Sequence, residues 1–397
     1  MKALVTGGAG FIGSHISDAL LARGCEVRVV DNLEPRVHPR GRPAYLSREF
    51  EFLAGDVRDK RVLERALAGV SIVFHAAAYQ DYMCDYSKFF DSNVTGTALI
   101  FEVIQERRLP VERFILSSSQ SVYGEGQYRC PAHGLQMPEA RCISDLDAGA
   151  WNLSCPECHQ ELQPLPLEEE HTNPVTPYGL TKYFQERVAM QLGRRVGVPA
   201  VALRYSITQG ARQSFYNAYS GICRIFTRTL RRGQAPVVYE DGRQQRDYVH
   251  IKDVVRANLL AMDDPRTNYQ SYNVGTGETT TVLEYARVLA RKMAVSIEPE
   301  VPGVYRVGDV RHTVSGISKL GSMGWQPTQG LDEIFADYLG WLDTAGDTDD
   351  YFAPAYAAMK KNGVVRVVQK ESAARASAPG ASCRAPALAG KAQWSQP

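Results

Sequence analysis

The sequence predicts an α/β protein built on a doubly wound parallel sheet, and three observations carry that prediction. Short apolar runs alternate with amphipathic helical stretches through the first half of the chain. A glycine loop, Gly7–Gly13, joins the first such run to the first helical stretch. Asp31 ends the second run, 18 positions after Gly13. Alternation of this kind requires parallel pairing through crossover helices. A parallel sheet of this type opens its ligand crevice at the C-terminal ends of its strands.

The elements follow in order. Ala3–Thr6 reads as a strand, and Phe11–Arg23 as a helix with Phe11, Ile12, Ile16 and Leu20 on one side and Gly24 as its stop. Val27–Asp31 and Phe50–Ala54 read as the second and third strands, with Lys60–Ala68 helical after them. Ile72–His75 is the fourth strand, Ser92–Arg107 a helix, Arg113–Ser117 the fifth strand, Tyr178–Arg194 a helix and Ala200–Arg204 the sixth strand. The expected organisation is therefore a dinucleotide-binding domain over 1–205. A smaller substrate lobe covers 206–343, of which Val249–Met262 packs back on the sheet. A C-terminal extension, 344–397, turns to Ala, Ser, Pro and Gly and is expected to be disordered from about residue 372.

The bulk properties exclude several classes. A formal net charge of +1 over 397 residues offers no basic face for nucleic acid. No apolar run approaches the roughly 18 residues of a membrane span. The N-terminal MKALVTGGAGFIG lacks the apolar core and cleavage site of an export signal, so a cytoplasmic location is expected.

The loop Thr6-Gly7-Gly8-Ala9-Gly10-Phe11-Ile12-Gly13 satisfies G-x-G-x-x-G. Glycines there allow a sharp strand-to-helix turn and let backbone N–H groups approach a pyrophosphate. Asp31 would accept bonds from the adenosine ribose and repel a 2′-phosphate, favouring NAD over NADP; Arg36 and Arg40 are the opposing feature. Asp56 would sit beside the adenine, and His75 reads as a structural strand-end histidine.

Tyr178 and Lys182 stand four apart on a predicted helix, hence on one face. An ammonium beside a phenol lowers its pKa and readies it for acid/base work. Ser117-Ser118-Ser119 ends the fifth strand at the expected crevice, and one of the three would hold the substrate oxygen.

These residues resemble the extended short-chain dehydrogenase/reductase group, with its Rossmann-type sheet, and within it the nucleotide-sugar 4-epimerases. The resemblance covers about 1–343 and rests on TGGAGFIGSH, VVDNL, GDVRD, FHAAA, SSSQSVYG, PYGLTK and RDYVHIKDV. It implies Ser119, Tyr178 and Lys182 as the catalytic set. It implies an NAD site of Gly7, Gly10, Phe11, Ile12, Gly13, Asp31, Asn32, Asp56, Val57, Ala76, Ala77, Asn93, Ser117, Tyr178 and Lys182. Arg246 and Arg311 resemble diphosphate-binding arginines. Gln80 and Tyr82, just past the fourth strand, are candidate sugar contacts. The family often pairs through helices such as Ser92–Arg107, which implies a homodimer.

In the family's reaction, Tyr178 would take the C4 hydroxyl proton while the C4 hydride passes to NAD. The 4-ketone then turns over and is reduced on its other face. Gln120-Ser121 follow Ser119 where 4,6-dehydratases carry an Asp-Glu pair, and Ser206-Ile207-Thr208 replace the Phe-Asn-Pro of many UDP-galactose-type epimerases. The stretch ALRYSITQGARQSFYNAYSGICRIF, with the cysteine-bearing insert, is similar to bacterial epimerases that interconvert dTDP-L-rhamnose and dTDP-6-deoxy-L-talose. Two rival readings share these residues: a 4-ketoreductase or dehydrogenase with exchangeable cofactor, and a non-catalytic dinucleotide sensor.

Fifty-five positions separate Tyr123 from Tyr178, far more than relatives use. The excess, placed at 126–165, contains Cys130-Pro131-Ala132-His133 and Cys155-Pro156-Glu157-Cys158. Two such pairs resemble the knuckles of a zinc ribbon, whose four ligands close a structural tetrahedron. Cys130, His133, Cys155 and Cys158 are the expected ligands, with Cys142 or His159 as substitutes.

Overall fold

A computed structural model describes residues 1–81, 85–213, 221–345 and 352–369. Tyr82 and the tail expected to be disordered from about residue 372 lie outside the described residues.

Seven parallel strands form the central sheet: β1 (Lys2–Thr6), β2 (Glu26–Asp31), β3 (Glu51–Ala54), β4 (Ile72–His75), β5 (Arg113–Ser119), β6 (Ala200–Tyr205) and β7 (Ser271–Val274). Their spatial order is β3-β2-β1-β4-β5-β6-β7. The order reverses between β1 and β4, which places a crevice at the C-terminal ends of those two strands. In register, Thr6 stands beside Val30 on one side and beside His75 on the other.

Helices cover both faces. On one face, α1 (Phe11–Ala22) and α5 (Ile251–Asp263) bury Ile16, Leu20, Val254 and Ala257 against Ala3, Val5, Val29, Phe74 and Val201. On the other, α2 (Lys60–Leu67), α3 (Gly96–Arg107) and α4 (Pro177–Val196) bury Leu63, Ile100, Ile104 and Ala189 against Leu4, Val30, Val73, Phe114 and Leu116. Alternate strand residues feed alternate faces, as a period of two requires.

Local chemistry sets the helix ends. The Asp59 carboxylate accepts from Arg61 N at 2.8 Å to open α2. The Thr176 hydroxyl accepts from Gly179 N at 3.0 Å, and Pro177 takes the first position of α4. Gly197 closes α4 at φ +74°.

Two features differ from the sequence reading. The expected helix Ser92–Arg107 begins as a π-helix over Phe90–Thr95 before becoming α3. The seventh strand, β7, was read as part of the lobe. It belongs to the main sheet, pairing Tyr272 with Leu203. Beyond the sheet, helices Ile222–Arg231, Val282–Lys292 and Leu331–Ala345 pack Phe226, Tyr285, Leu289, Phe335 and Tyr338 into a second core.

The insertion forms a three-stranded antiparallel sheet. Tyr128–Cys130 lies between Gly134–Gln136 and Gln163–Pro164, over a small core of Tyr128, Cys130, Cys155 and Leu162.

Among the described residues, no helix is long and apolar enough to cross a membrane.

Candidate active site

A cavity of about 1470 Å³ runs along the C-terminal ends of the strands. Its wall includes Gly7, Gly10, Phe11, Ile12, Gly13, Asp31, Asn32, Asp56, Val57, Ala76, Ala77, Gln80, Ser117, Ser119, Tyr178, Lys182 and Arg246.

The glycine loop fits a dinucleotide. Gly7 has φ +67°, and a Cβ there would lie 2.6 Å from Ala77 N, so the backbone approach leaves no room for a side chain. A Cβ on Gly13 would lie 2.3 Å from Gly7 O. The loop opens α1, whose first-turn amides have no intrahelical acceptor and suit a pyrophosphate. Asp31 Oδ2 accepts from Ala9 N at 3.0 Å and Oδ1 from Leu33 N at 2.9 Å, fixing the carboxylate at the end of β2. Asn32 Nδ2 donates to Asp56 Oδ2 at 3.0 Å. Hydrogen bonds from Arg58 pull the Asp56 carboxyl down to about 2. Arg36 lines the cavity here, but its guanidinium is turned to Asp81 and the Tyr79 hydroxyl, at 2.8 and 2.9 Å.

The three serines divide as strand alternation demands. Ser118 also borders the cavity, but its hydroxyl donates to Glu186 Oε1 at 2.5 Å. Glu186 is also bound by Arg204, at 2.9 and 2.7 Å, so this serine belongs to a buried ion pair. Ser117 and Ser119 line the cavity. Ser119 Oγ accepts from Ser121 N at 3.1 Å, which caps the short 3₁₀ turn Gln120–Tyr123, and it is hydrogen-bonded to the Tyr178 hydroxyl.

Tyr178 and Lys182 both emerge from the first turns of α4. The helix is pressed close: a Cβ on Gly179 would lie 2.3 Å from Ser121 O. Lys182 is 2% exposed and donates its Nζ to Ser117 O at 2.8 Å. Burial lowers the Lys182 pKa to about 7, against a smaller opposing pull from Glu186. Burial also raises the Tyr178 phenol, and its bond to Ser119 only partly offsets this. The sequence reading had the ammonium acidifying the phenol. Desolvation is the larger effect on both groups, and the neighbour that lowers the phenol is Ser119.

Two predicted site residues stand elsewhere. Asn93 is fully buried and outside the cavity wall. Its carboxamide accepts from Tyr79 N at 2.7 Å and donates to Tyr79 O at 3.0 Å and Thr181 Oγ1 at 2.9 Å. It positions the loop after β4 against α4, and the π turn brings it there. Arg311 is 1% exposed and also outside the wall. Its guanidinium is spent on Asn152, Glu240 and Asp241, at 2.7–2.9 Å. Arg306, five residues earlier and unselected from sequence, lines the cavity instead. Arg246 stays in the wall, held by the carbonyls of Gln245, Val310 and Arg311 at 3.0, 2.7 and 2.9 Å. His75 is wholly buried, between the Thr6 and Thr97 hydroxyls, and burial takes it down to about 3. It is structural.

Away from the cavity, Cys130, His133, Cys155 and Cys158 offer ligand atoms that all lie within 4.8 Å of one another. Cys130 Sγ is 3.5 Å from Cys158 Sγ and 3.6 Å from His133 Nδ1, and Cys155 Sγ is 3.5 Å from that nitrogen. Cys142 and His159 are not in the cluster.

Comparison with known proteins agrees with this geometry. The family model "NAD dependent epimerase/dehydratase family" matches residues 3–140 and 150–275. A dTDP-L-rhamnose 4-epimerase of Burkholderia thailandensis is 32% identical over 348 residues, 86% of this chain and 94% of that one. A UDP-glucose 4-epimerase of Thermotoga maritima, solved with UDP-glucose, superimposes with a TM-score of 0.70 at 30% identity, covering 87% of this chain and 99% of that one. A Thermus thermophilus UDP-glucose 4-epimerase, solved with NAD, gives a TM-score of 0.68 at 29% identity, covering 87% and 100%. The chain belongs to the NAD dependent epimerase/dehydratase family and is, within it, an NAD-dependent nucleotide-sugar 4-epimerase.

Proposed function

We propose that the protein inverts C4 of a nucleotide-linked 6-deoxyhexose, interconverting dTDP-L-rhamnose and dTDP-6-deoxy-L-talose. The observation that carries the reading is the joined pair of hydroxyls, Tyr178 and Ser119, in one cavity with the glycine loop. Ser119 holds the C4 oxygen, and Tyr178 takes its proton. Lys182, through its bond to Ser117 O, fixes the depth at which its ammonium meets the cofactor ribose. NAD held by the glycine loop and Asp31 would supply the hydride acceptor and donor for C4. After the ketone turns and its other face is reduced, Tyr178 returns the proton to the C4 oxygen. Arg246 and Arg306 take the diphosphate, and Gln80 lies within reach of the sugar.

Separate features support inversion over elimination and a 6-deoxyhexose over a galactose-type substrate. Gln120 and Ser121, beside Ser119 in the wall, carry no carboxylic acid for dehydration. Ile207, Ile222, Ile225 and Phe226 supply an apolar wall suited to a sugar methyl. The Burkholderia thailandensis relative, a dTDP-L-rhamnose 4-epimerase, supports the same choice.

The insertion is read as a structural zinc site of Cys130, His133, Cys155 and Cys158. Ligand-to-ligand distances of 3.5–3.6 Å match the edges of a tetrahedron with sulfur and imidazole ligands. His133 presents Nδ1 inward, while its Nε2 lies 3.6 Å from Glu157, the usual arrangement for orienting a metal-bound ring. A homodimer is read from Tyr86, Phe90 and Phe184, which are 55, 39 and 43% exposed on the short turn Tyr86–Phe89, at the start of the π-helix and on α4.

The test is incubation with dTDP-, UDP- and GDP-sugars without added cofactor, followed by NMR. Equilibration of dTDP-L-rhamnose with its C4 epimer is expected. Product forming only when NADH is added would make the protein a ketoreductase.

A further inference from the structure

The C-terminal extension contributes to the cavity. Helix Phe352–Lys361 and strand Val365–Val367 lie beyond residue 275, where the family match ends. Pro354, Ala358, Asn362, Gly363 and Val364 nevertheless line the same cavity as Tyr178.

The segment is fastened to the cavity rim. The strand pairs antiparallel with Val304–Arg306, setting Arg306 opposite Val365. Val307 N donates to Val364 O at 2.9 Å, and Val368 N to Gly303 O at 3.0 Å. Met359, Val304 and Val365 are buried together, with Tyr239 and Tyr356 packed around them. Gly363, at φ +69°, ends the helix and turns the chain into the strand. From the insertion, Asp147 O accepts from Gln369 N at 2.9 Å, and Asp147 accepts a side-chain bond from Tyr305. The hairpin therefore packs on the strand that carries Arg306.

Arg246 and Arg306 mark the diphosphate end of the cavity. What lies past a diphosphate in a nucleotide sugar is the nucleoside; the Arg306 guanidinium lies 5.4 Å from the centre of the Tyr239 ring, and Val237, Tyr239, Ala358 and Asn362 all belong to the cavity wall. No described residue hydrogen-bonds the Asn362 carboxamide. A carboxamide offers a donor and an acceptor side by side, the complement of the imide edge of thymine or uracil. We propose that the C-terminal hairpin is a fixed wall of the nucleotide site and that Asn362 reads the imide edge of a pyrimidine base. This rests on the nucleotide-sugar reading above.

The experiment uses the full-length holoenzyme with Asn362→Ala, Ala358→Phe and, as an exposed control outside the wall, Lys361→Ala. Free dTDP binding is followed by calorimetry, steady-state kinetics with dTDP-L-rhamnose, and bound NAD by absorbance. Loss of the base contact is expected to raise the Kd of dTDP, and the KM, roughly tenfold, the size of one or two hydrogen bonds. kcat and bound NAD should not change. Ala358→Phe should weaken dTDP binding by filling the wall, and the control should match the parent. If Asn362→Ala and Ala358→Phe bind dTDP as the parent does, the hairpin is not part of the site. Binding of dTDP without turnover of any sugar would overturn the choice of reaction and leave the wall standing. Asn362 is surface-exposed, so its variant folds even if the phenylalanine variant does not.

Discussion

The Lys182 ammonium lies 5.8 Å from the centre of the Tyr178 ring, over its face rather than on its hydroxyl. The lysine therefore stands against the ring face, while its hydrogen bond goes to Ser117 O. Tyr178→Phe keeps the ring and that cation–π contact and removes only the proton carrier. We expect kcat to fall about 10²- to 10⁴-fold, the range for loss of a general acid/base, with NAD still bound. Unchanged turnover of dTDP-L-rhamnose would remove Tyr178 from the reaction.

Lys182 also sets a pH signature on stability. Its folded pKa, about 7, lies below the unfolded value near 10.5, so between these limits the unfolded chain binds more protons. Stability of the cofactor-free protein should rise with pH from about 7 toward 10 on this account. Above that, the buried phenols, raised over their usual value of 10, act with the opposite sign. Urea midpoints measured from pH 7 to 9.5 should climb less in Lys182→Met than in the parent. Equal slopes would contradict the burial of a neutral amine.

The arginines separate by function. Arg246→Ala and Arg306→Ala should each raise KM for the nucleotide sugar roughly tenfold to a hundredfold, the cost of a charged hydrogen bond; Arg306→Ala should leave stability nearly unchanged, while Arg246→Ala also frees the carbonyls its buried guanidinium holds and costs about 1–3 kcal/mol. Arg311→Met should do the reverse of Arg306→Ala. It leaves Asp241 without its cation and Glu240, at 2% side-chain exposure, with Arg141 alone, which costs about 3 kcal/mol, the low end for breaking a buried pair. Paired thermal melts and steady-state kinetics on the three variants distinguish the roles. A larger KM effect in Arg311→Met than in Arg306→Ala would restore the assignment made from sequence.

The contrast between Arg306 and Arg311 shows where sequence stops being legible. Both flank Gly308-Asp309-Val310, and no local pattern tells which faces the cavity. That is decided by pairing of Val304–Arg306 with a strand sixty residues on, and by Arg141 from the insertion. Arg141 bonds Glu240 at 2.8 Å and Asp309 O at 2.7 Å. The first six strands, by contrast, announce themselves through apolar runs, and the glycine loop, Asp31, Tyr178 and Lys182 through spacing, whereas Ser119 is picked from its run of three serines only by the family resemblance. Strand β7 hid because it reads Ser-Tyr-Asn-Val. Asn273 is polar yet buried, satisfied by Tyr123, Leu167 O and Gly316 O at 2.5, 2.7 and 3.0 Å. Asn93 stands outside the cavity wall. Its amide resembles a ligand group in sequence and is a brace in space.

The last prediction concerns the insertion. Its core is only Tyr128, Cys130, Cys155 and Leu162 with a few partly buried neighbours, too little apolar surface to hold three short strands unaided. A bound metal would supply the missing stability, since structural zinc contributes roughly 10–16 kcal/mol in small isolated fingers. Protein purified without chelator should carry about one zinc per chain, and Cys155→Ser should lose it. Hydrogen exchange should then accelerate over Tyr128–Cys130 and residues 153–162, while the amides of β1, β4 and β5 keep their protection. The effect should reach Arg246 too, because Arg141 in the insertion clamps Asp309 and Glu125, and Glu125 holds the Arg311 amide at 2.8 Å beside the carbonyl that Arg246 uses. KM for the nucleotide sugar should therefore rise on metal loss while bound NAD is retained. Zinc-free protein with parental exchange in these strands would show that the four ligands pack as an ordinary core.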